Sequence, residues 1–376
     1  GKYAFSHSAV QNVTIPDNMT VAEGVFSECL QMESVTIGND VTLEDFAFST
    51  DKDNVFKVAN FDEDGEKYFY YIFDSALKTV TIGDNAVIGK NAFAGAAGLE
   101  TVNLGANAKI GYMAFYNNCS LKNIDLSKVA TIDDYAFSGD VYYICLDDSM
   151  TVGAIDSNGF YRYTYHGPQI PKADLSSATE IGEYAFAYCR EMTDVVLGSA
   201  ITELPQYAFA GCISLKNINL SGVTTVGDYV FIEDAALETV DLSAAETVGK
   251  YAFVRCKNLS KVTLGEAMDS IGEGAFSYCE KLDKVENLCN CREIGSYSFA
   301  YTAMTDLDLT GAVKIGDLAF MKENKTPVKV TLGFGLLESI GDNPFAMCEL
   351  EPFCMEDTQD FNGPAHTAKT YTYEIS

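Results

Sequence analysis

The dipeptide Ala-Phe, or a close variant of it, returns along this chain at a nearly constant interval. The phenylalanines that mark it are Phe5, Phe26, Phe48, Phe93, Phe115, Phe137, Phe186, Phe209, Phe231, Phe253, Phe276, Phe299, Phe320 and Phe345, and most of their spacings are 21 to 23 residues. The fullest copy runs Ile181-Gly182-Glu183-Tyr184-Ala185-Phe186-Ala187-Tyr188-Cys189, followed by Met192, Val195 and Leu197. Phe209, Cys212, Leu215, Ile218 and Leu220 repeat that order, which reduces to I-G-x-x-A-F-x-x-C-x-x-L-x-x-V-x-L. A fixed period of this size predicts a solenoid, because no single unit can bury its apolar side without a neighbour stacked on each side.

Each letter of the pattern has a physical task. In L-x-x-V-x-L the apolar residues alternate with polar ones, as in Val262-Thr263-Leu264, which is the mark of a short strand buried on one face. Stacked coils then form a parallel sheet. The Ile-Gly step is a turn in which glycine relieves crowding, and Phe enters the core from the opposite wall to stack on the Phe of the next coil. The opening pentapeptide, Gly1 to Phe5, recurs as Gly249 to Phe253, so the chain starts in the second half of a coil. A solenoid end normally carries a polar cap, and none precedes Phe5; the expectation is a fragment, or a chain that has lost a leader or a further domain. The pattern predicts a repeat domain over residues 1–348 and a closing cap over residues 349–376.

Composition narrows the function classes. A hydrophobic share of 47% excludes disorder, and no apolar run is long enough to span a membrane. With 25 Lys and Arg against 54 Asp and Glu, the net charge of -29 would repel nucleic acid and anionic lipid alike. Neither is expected as a partner.

The coil I-G-x-x-A-F-x-x-C-x-x-L-x-x-V-x-L resembles the BspA-like leucine-rich repeats of bacterial surface proteins and some protists. The resemblance covers nearly the whole chain. It implies an α/β-type repeat solenoid, right-handed and curved, with short parallel strands and about fourteen coils. It also implies a secreted or cell-surface location in a bacterium, an adhesive or ligand-binding role, and no enzyme activity. Members usually carry additional attachment or immunoglobulin-like modules; none is visible here, which leaves the manner of anchoring open.

Two intervals break the period. Phe48 to Phe93 spans 45 residues and Phe137 to Phe186 spans 49. The extra segments, about 50–73 and 140–170, both leave the coil between the Phe and the following strand. Each contains a turn signal, Asp62 to Gly65 and Asp156 to Gly159, between aromatic and β-branched residues, so each reads as a β-hairpin. Their aromatics include Tyr68, Tyr70, Tyr71, Tyr143, Tyr161, Tyr163 and Tyr165. Tyrosine combines a large rigid ring with a polar tip, so these seven are candidate contact residues. The competing reading packs one hairpin face on the solenoid, and it is favoured by the marginal stability of two-stranded hairpins on their own.

Little else points to chemistry. Asn60-x-Asp62-x-Asp64-Gly65 and Ala154-x-Asp156-x-Asn158-Gly159 imitate the start of a calcium loop, but Tyr71 and Tyr165 stand where its last carboxylate is needed. Hairpin turns account for both. Cys29, Cys189, Cys212, Cys256, Cys279 and Cys348 each follow a repeat Phe by three residues, and Cys119 follows by four. A position repeated in register predicts an internal, space-filling ladder. Cys289-Asn290-Cys291 lies outside that ladder and offers two soft ligands with no histidine near, too few for zinc. The three histidines, His7, His166 and His366, belong to no catalytic motif. Acid pairs such as Asp133-Asp134 and Asp147-Asp148 arise readily as solvated surface in so acidic a chain. No metal or cofactor is expected.

The outward strand positions are Thr14, Thr36, Thr81, Asn103, Asp125, Asp174, Val196, Asn219, Asp241, Thr263, Glu286, Asp308 and Thr331. They are small, polar or acidic, with none of the aromatic anchors that mark a protein-binding face. The sequence therefore reads as a monomeric, non-catalytic module that binds an extracellular or host protein through its Tyr-rich insertions. A carbohydrate-binding surface, weakened by the absence of Trp, and a spacer for another domain are the two alternatives.

Overall fold

The computed structural model describes residues 1–50, 75–139, 167–333, 335–350 and 355–356. They fall in two units, residues 1–200 and 201–376, built from the same coil. Among the described residues there is no α-helix, and the single helical turn is the 3-10 segment Leu288–Asn290. The expectation of an α/β-type solenoid is corrected on that point: this is a parallel β-solenoid whose third wall is made of turns.

The first wall is the strand foreseen from V-x-L. In the first unit, Asn12–Ile15, Ser34–Ile37, Thr79–Ile82, Thr101–Leu104 and Asn123–Ile124 form one parallel five-stranded sheet, and Lys172–Leu175 pairs with Asp194–Leu197. In the second, Thr239–Leu242, Lys261–Leu264 and Lys284–Glu286 pair in order. Further on, Thr326–Gly333 pairs with Asp306–Leu309, Cys348–Leu350 and Met355–Glu356. Inward and outward residues alternate as they must in a pleated strand: Val35, Val80 and Val102 are buried, whereas Thr36, Thr81 and Asn103 are exposed.

A second wall was not anticipated from the sequence. Two-residue strands end at an Ile, Val or Leu that in most coils precedes the glycine. Thr20–Val21, Thr42–Leu43, Val87–Ile88, Lys109–Ile110, Thr131–Ile132 and Glu180–Ile181 stack into a six-stranded ladder, and Glu203–Leu204 through Ser339–Ile340 into a seven-stranded one. Their brevity hides them from any test of alternation, yet most set one polar residue outward and one aliphatic residue inward; Val87 is an apolar outward residue, and Ile340 is exposed. The glycine that follows marks close approach of coils. A Cβ on Gly89 would stand 2.5 Å from the Leu43 carbonyl oxygen, and one on Gly272 2.7 Å from the Gly249 carbonyl carbon.

The third wall carries the Phe. Successive rings lie parallel with centroids 5.2–5.4 Å apart in the first unit and 5.0–5.8 Å apart in the second. From Phe93 to Phe320 the repeat rings are buried to 1% exposure or less, while Phe5 at the start of the stack is 55% exposed. This wall is not strand, but its amides still bridge coils. Phe48 N–H donates to Ala92 O at 2.8 Å, Phe253 N–H to Ala275 O at 2.7 Å, and the residues two before and two after Phe253 do likewise. The turn needs a left-handed residue two places before each Phe, such as Tyr135, Tyr229 or Gly274, with φ between 46° and 60° at all fourteen positions.

The long intervals leave the stack in register. Ser34–Ile37 pairs residue for residue with Thr79–Ile82, and the rings of Phe48 and Phe93 stand 5.2 Å apart at 2°. Across the second interval, Thr131–Ile132 pairs with Glu180–Ile181 and Phe137 stacks on Phe186 at 5.4 Å. Of the segments foreseen as hairpins, about 50–73 and 140–170, all but residue 50 and residues 167–170 lie outside the described residues.

Candidate interaction surfaces

The seven tyrosines singled out from the sequence, Tyr68, Tyr70, Tyr71, Tyr143, Tyr161, Tyr163 and Tyr165, all lie outside the described residues, as do both calcium-like turns and Asp147-Asp148. Three other surfaces and the cysteine column are described.

On the strand face, the outward residues are exposed or half-buried and joined along the ladder. Asn103 Nδ2 donates to Thr81 Oγ1 at 3.3 Å and Asn123 Nδ2 to Thr101 Oγ1 at 3.2 Å. In the second unit Glu286 takes Lys261 at 2.9 Å, Lys284 at 2.8 Å and the Thr263 hydroxyl at 3.1 Å. Those hydrogen bonds pull its carboxyl down to about 2. A face whose polar groups already satisfy one another has few left for a ligand.

Many acids are occupied in the turns. Asp125, Asp174 and Asp241 each accept the amide two residues on, from Ser127, Ser176 and Ser243, at 2.9–3.0 Å, which closes an Asx turn at the end of the strand. Others cap the next coil: Asp17 accepts Asn39 N–H at 2.8 Å, Asp84 accepts Ala106 N–H at 2.7 Å and Asp228 accepts Lys250 N–H at 2.7 Å. The pair Asp133-Asp134 belongs here too, since Asp133 accepts the Asp134 amide and Asp134 the Glu183 amide.

The edge of the Phe wall is rich in tyrosine. Two places before the Phe stand Tyr207, Tyr229 and Tyr251, stacked at 4.6 and 5.2 Å; Tyr135 and Tyr184 stack at 4.5 Å in the first unit. Two places after it, Tyr278 and Tyr301 stack at 4.4 Å. Where the next coil has glycine, the ring leans over it: a Cβ on Gly24 would meet the Tyr3 ring at 2.1 Å, and one on Gly274 the Tyr251 ring at 2.3 Å. In both cases the phenol donates to the preceding Glu, Tyr3 to Glu23 at 2.8 Å and Tyr251 to Glu273 at 2.7 Å. That bond to a carboxylate, with burial second, pushes the Tyr251 hydroxyl up to about 12.

Inside, the cysteine column does more than fill space. Cys29, Cys189, Cys256, Cys279 and Cys348 each direct Sγ at the carbonyl oxygen of the Phe one coil earlier, at 3.1–3.4 Å. All are free thiols. Asp234 takes the same place in its coil, fully buried, with neither carboxyl oxygen hydrogen-bonded. Burial holds its carboxyl well above the usual range. Cys291 donates to Glu293 O at 3.3 Å beside the 3-10 turn, and Asn287 and Asn290 tie that turn to Leu264 O and Gly265 O. Among the described residues no three His, Cys, Asp or Glu side chains are grouped so as to hold a metal ion, and no helix is long and apolar enough to cross a membrane.

The profile of the BspA type leucine rich repeat region matches in six copies, over residues 1–117, 65–172, 153–256, 179–301 and 246–363. The chain belongs to this family. None of the curated proteins matches it. Among solved structures, a leucine-rich repeat protein from Bacteroides ovatus is 20% identical, with a TM-score of 0.45 over 90% of this chain and 85% of that one. A leucine rich cell surface protein from Faecalibacterium prausnitzii is 19% identical, with a TM-score of 0.43 over 89% and 88%. The BspA-type coil thus explains the Ile-Gly, Phe and Cys columns; the tyrosine edge and Asp234 are read from this chain's own residues.

Proposed function

We propose that this BspA-type chain is a non-catalytic interaction module of the bacterial cell surface, which binds an extracellular or host protein and uses the solenoid to display what projects from it. The observation that carries the reading is the division of labour within the coil. Ile, Gly, Phe, Cys, Val and Leu are consumed by packing, thiol and amide bonding, and the two longest departures from the period gather tyrosines without disturbing the stack on either side. A contact surface needs large, rigid side chains at low entropic cost, which tyrosine supplies. The surface location rests on the family.

The test is partner capture by the intact chain against purified extracellular-matrix proteins, with Tyr70→Ala, Tyr161→Ala and Tyr163→Ala combined. Capture is expected to fall by at least about tenfold, the loss of one or two contact hot spots, with the melting temperature unchanged. Undiminished capture at an unchanged melting temperature removes the insertions from the reading.

A further inference from the structure

We propose that a second contact surface, formed by Tyr251, Tyr278, Tyr297 and Tyr301 around Glu273, docks a cationic peptide segment by seating its Arg or Lys side chains on the phenol rings. The proposal rests on the interaction-module reading but on different residues, all of them within the repeat.

Geometry comes first. Tyr278 and Tyr301 stack in adjacent coils at 4.4 Å. Tyr297 lies close enough to Tyr251 and Tyr301 to act electrostatically on both hydroxyls, so the four rings make one edge. Its outermost members are open to solvent, Tyr278 at 42% and Tyr297 at 38%. The backbone does not ask for tyrosine there. Both have left-handed φ, 60° and 57°, a region that favours Asn and Gly, and the equivalent places elsewhere hold Asn91, Asn117, Asn343, Gly95 and Gly274. Large rings on a surface that tolerates Asn have a use beyond the turn.

Charge selects the partner. Glu273 lies within the edge and already orients the Tyr251 hydroxyl at 2.7 Å, and Glu323 acts on Tyr301. Of the cations on these coils, Arg255 and Lys257 are tied to Glu233 at 2.8 Å and Glu280 at 3.1 Å, Lys261 and Lys284 to Glu286 at 2.9 and 2.8 Å, and Arg292 to Asp269 at 4.0 Å; Lys250 and Lys281, the latter on the neutral Asn258 amide at 2.7 Å, remain as the local positive charges, fewer than the carboxylates around them. The chain as a whole carries -29 and draws in a basic segment from a distance. The same chemistry already occurs within the fold: in the first unit Lys90 Nζ sits 5.0 Å above the centre of the Tyr112 ring, which stands three places before its Phe and meets Tyr135 edge-on at 5.7 Å. A ring face and a carboxylate side by side suit a guanidinium or ammonium better than a neutral ligand.

The experiment is fluorescence anisotropy of a labelled hexa-arginine peptide on the full chain, compared with Tyr278→Asn/Tyr297→Asn/Tyr301→Asn. This variant leaves the net charge unaltered and suits the left-handed backbone, so general attraction to an acidic protein is the same for both. Binding is expected to weaken by about tenfold, the loss of two or three exposed cation–π contacts. Tyr→Phe at the same three places should restore it, and Glu273→Gln should weaken it and flatten its salt dependence. If the triple variant melts early, Tyr278→Asn and Tyr297→Asn are measured singly. Equal affinity of parent and Asn variants overturns the proposal, and so does binding at these rings of a neutral oligosaccharide in place of the peptide. The insertion variants described above keep full peptide binding, so failure of one surface is distinguishable from failure of the other.

Discussion

Asp234 stands where neighbouring coils carry a thiol that donates to the preceding Phe carbonyl. A carboxylate has no proton to give, and the amides of Gly211 and Cys212 nearby are engaged with Ile232 and Phe209. The folded chain therefore retains a proton on Asp234 that the unfolded chain releases above its ordinary value of about 3.9. With the folded value raised, stability is full below that pH and declines as pH rises toward the folded value. Asp234→Asn should remove this decline, and Asp234→Cys should stabilise the protein at pH 7 by about 1–3 kcal/mol, the cost of a buried unpaired polar group; urea titrations at pH 5 and pH 7 read both. Lys322 works in the opposite sense. Buried, with Nζ 2.8 Å from Thr302 O, it is pushed down to about 8 by loss of solvent, so its contribution to stability rises with pH between about 8 and the unfolded value of about 10.4. Lys322→Met should flatten that rise in the same titrations, extended to pH 10. Gly274 supplies a steric counterpart: with φ at +60° and the Tyr251 ring in the place of a Cβ, Gly274→Ala should cost about 1–3 kcal/mol. Gly222→Ala, with nothing within 4 Å, should leave the melting temperature within error.

At the scale of the element, the coil is three inter-coil ladders joined by turns, and the Phe column supplies the largest fully buried side chains. Phe253→Ala, deep in the stack at 0% exposure, should cost about 3–5 kcal/mol by equilibrium unfolding; a loss under about 1 kcal/mol would mean the coils close the gap. The strand and Phe walls were legible because alternation and a fixed period are statements about which atoms are buried, and Val80 or Phe93 can satisfy them in one way only. The two-residue ladder is not legible as alternation because Thr-Val or Glu-Ile is too short to show a period, although the glycine that follows most of these pairs is a signal of it. That the described residues hold no α-helix is not legible either: the stretch around each Phe turns through left-handed residues, Tyr as readily as Gly, in defiance of the local preference of Tyr. The tyrosine edge was hidden for a related reason. Tyr251 and Tyr297 keep the period, whereas the search for a site favours residues that break it.

Across the whole molecule, an excess of 29 negative charges works against compactness. Salt that shortens the screening length should therefore raise the melting temperature between about 10 and about 150 mM NaCl, in contrast to a protein held by surface ion pairs. Failure of the midpoint to rise would show that the Asx turns and the Lys ladders outweigh the repulsion. Within each unit a coil touches its neighbours and little beyond, so local damage should stay local when followed by hydrogen exchange. The uninterrupted ring stack across residues 49–92 and 138–185 has an evolutionary corollary. Selection can lengthen or shorten such a chain by whole turns, or graft a foreign segment at the junction after the Phe, while the interior keeps its fit; size and recognition can then vary independently of each other.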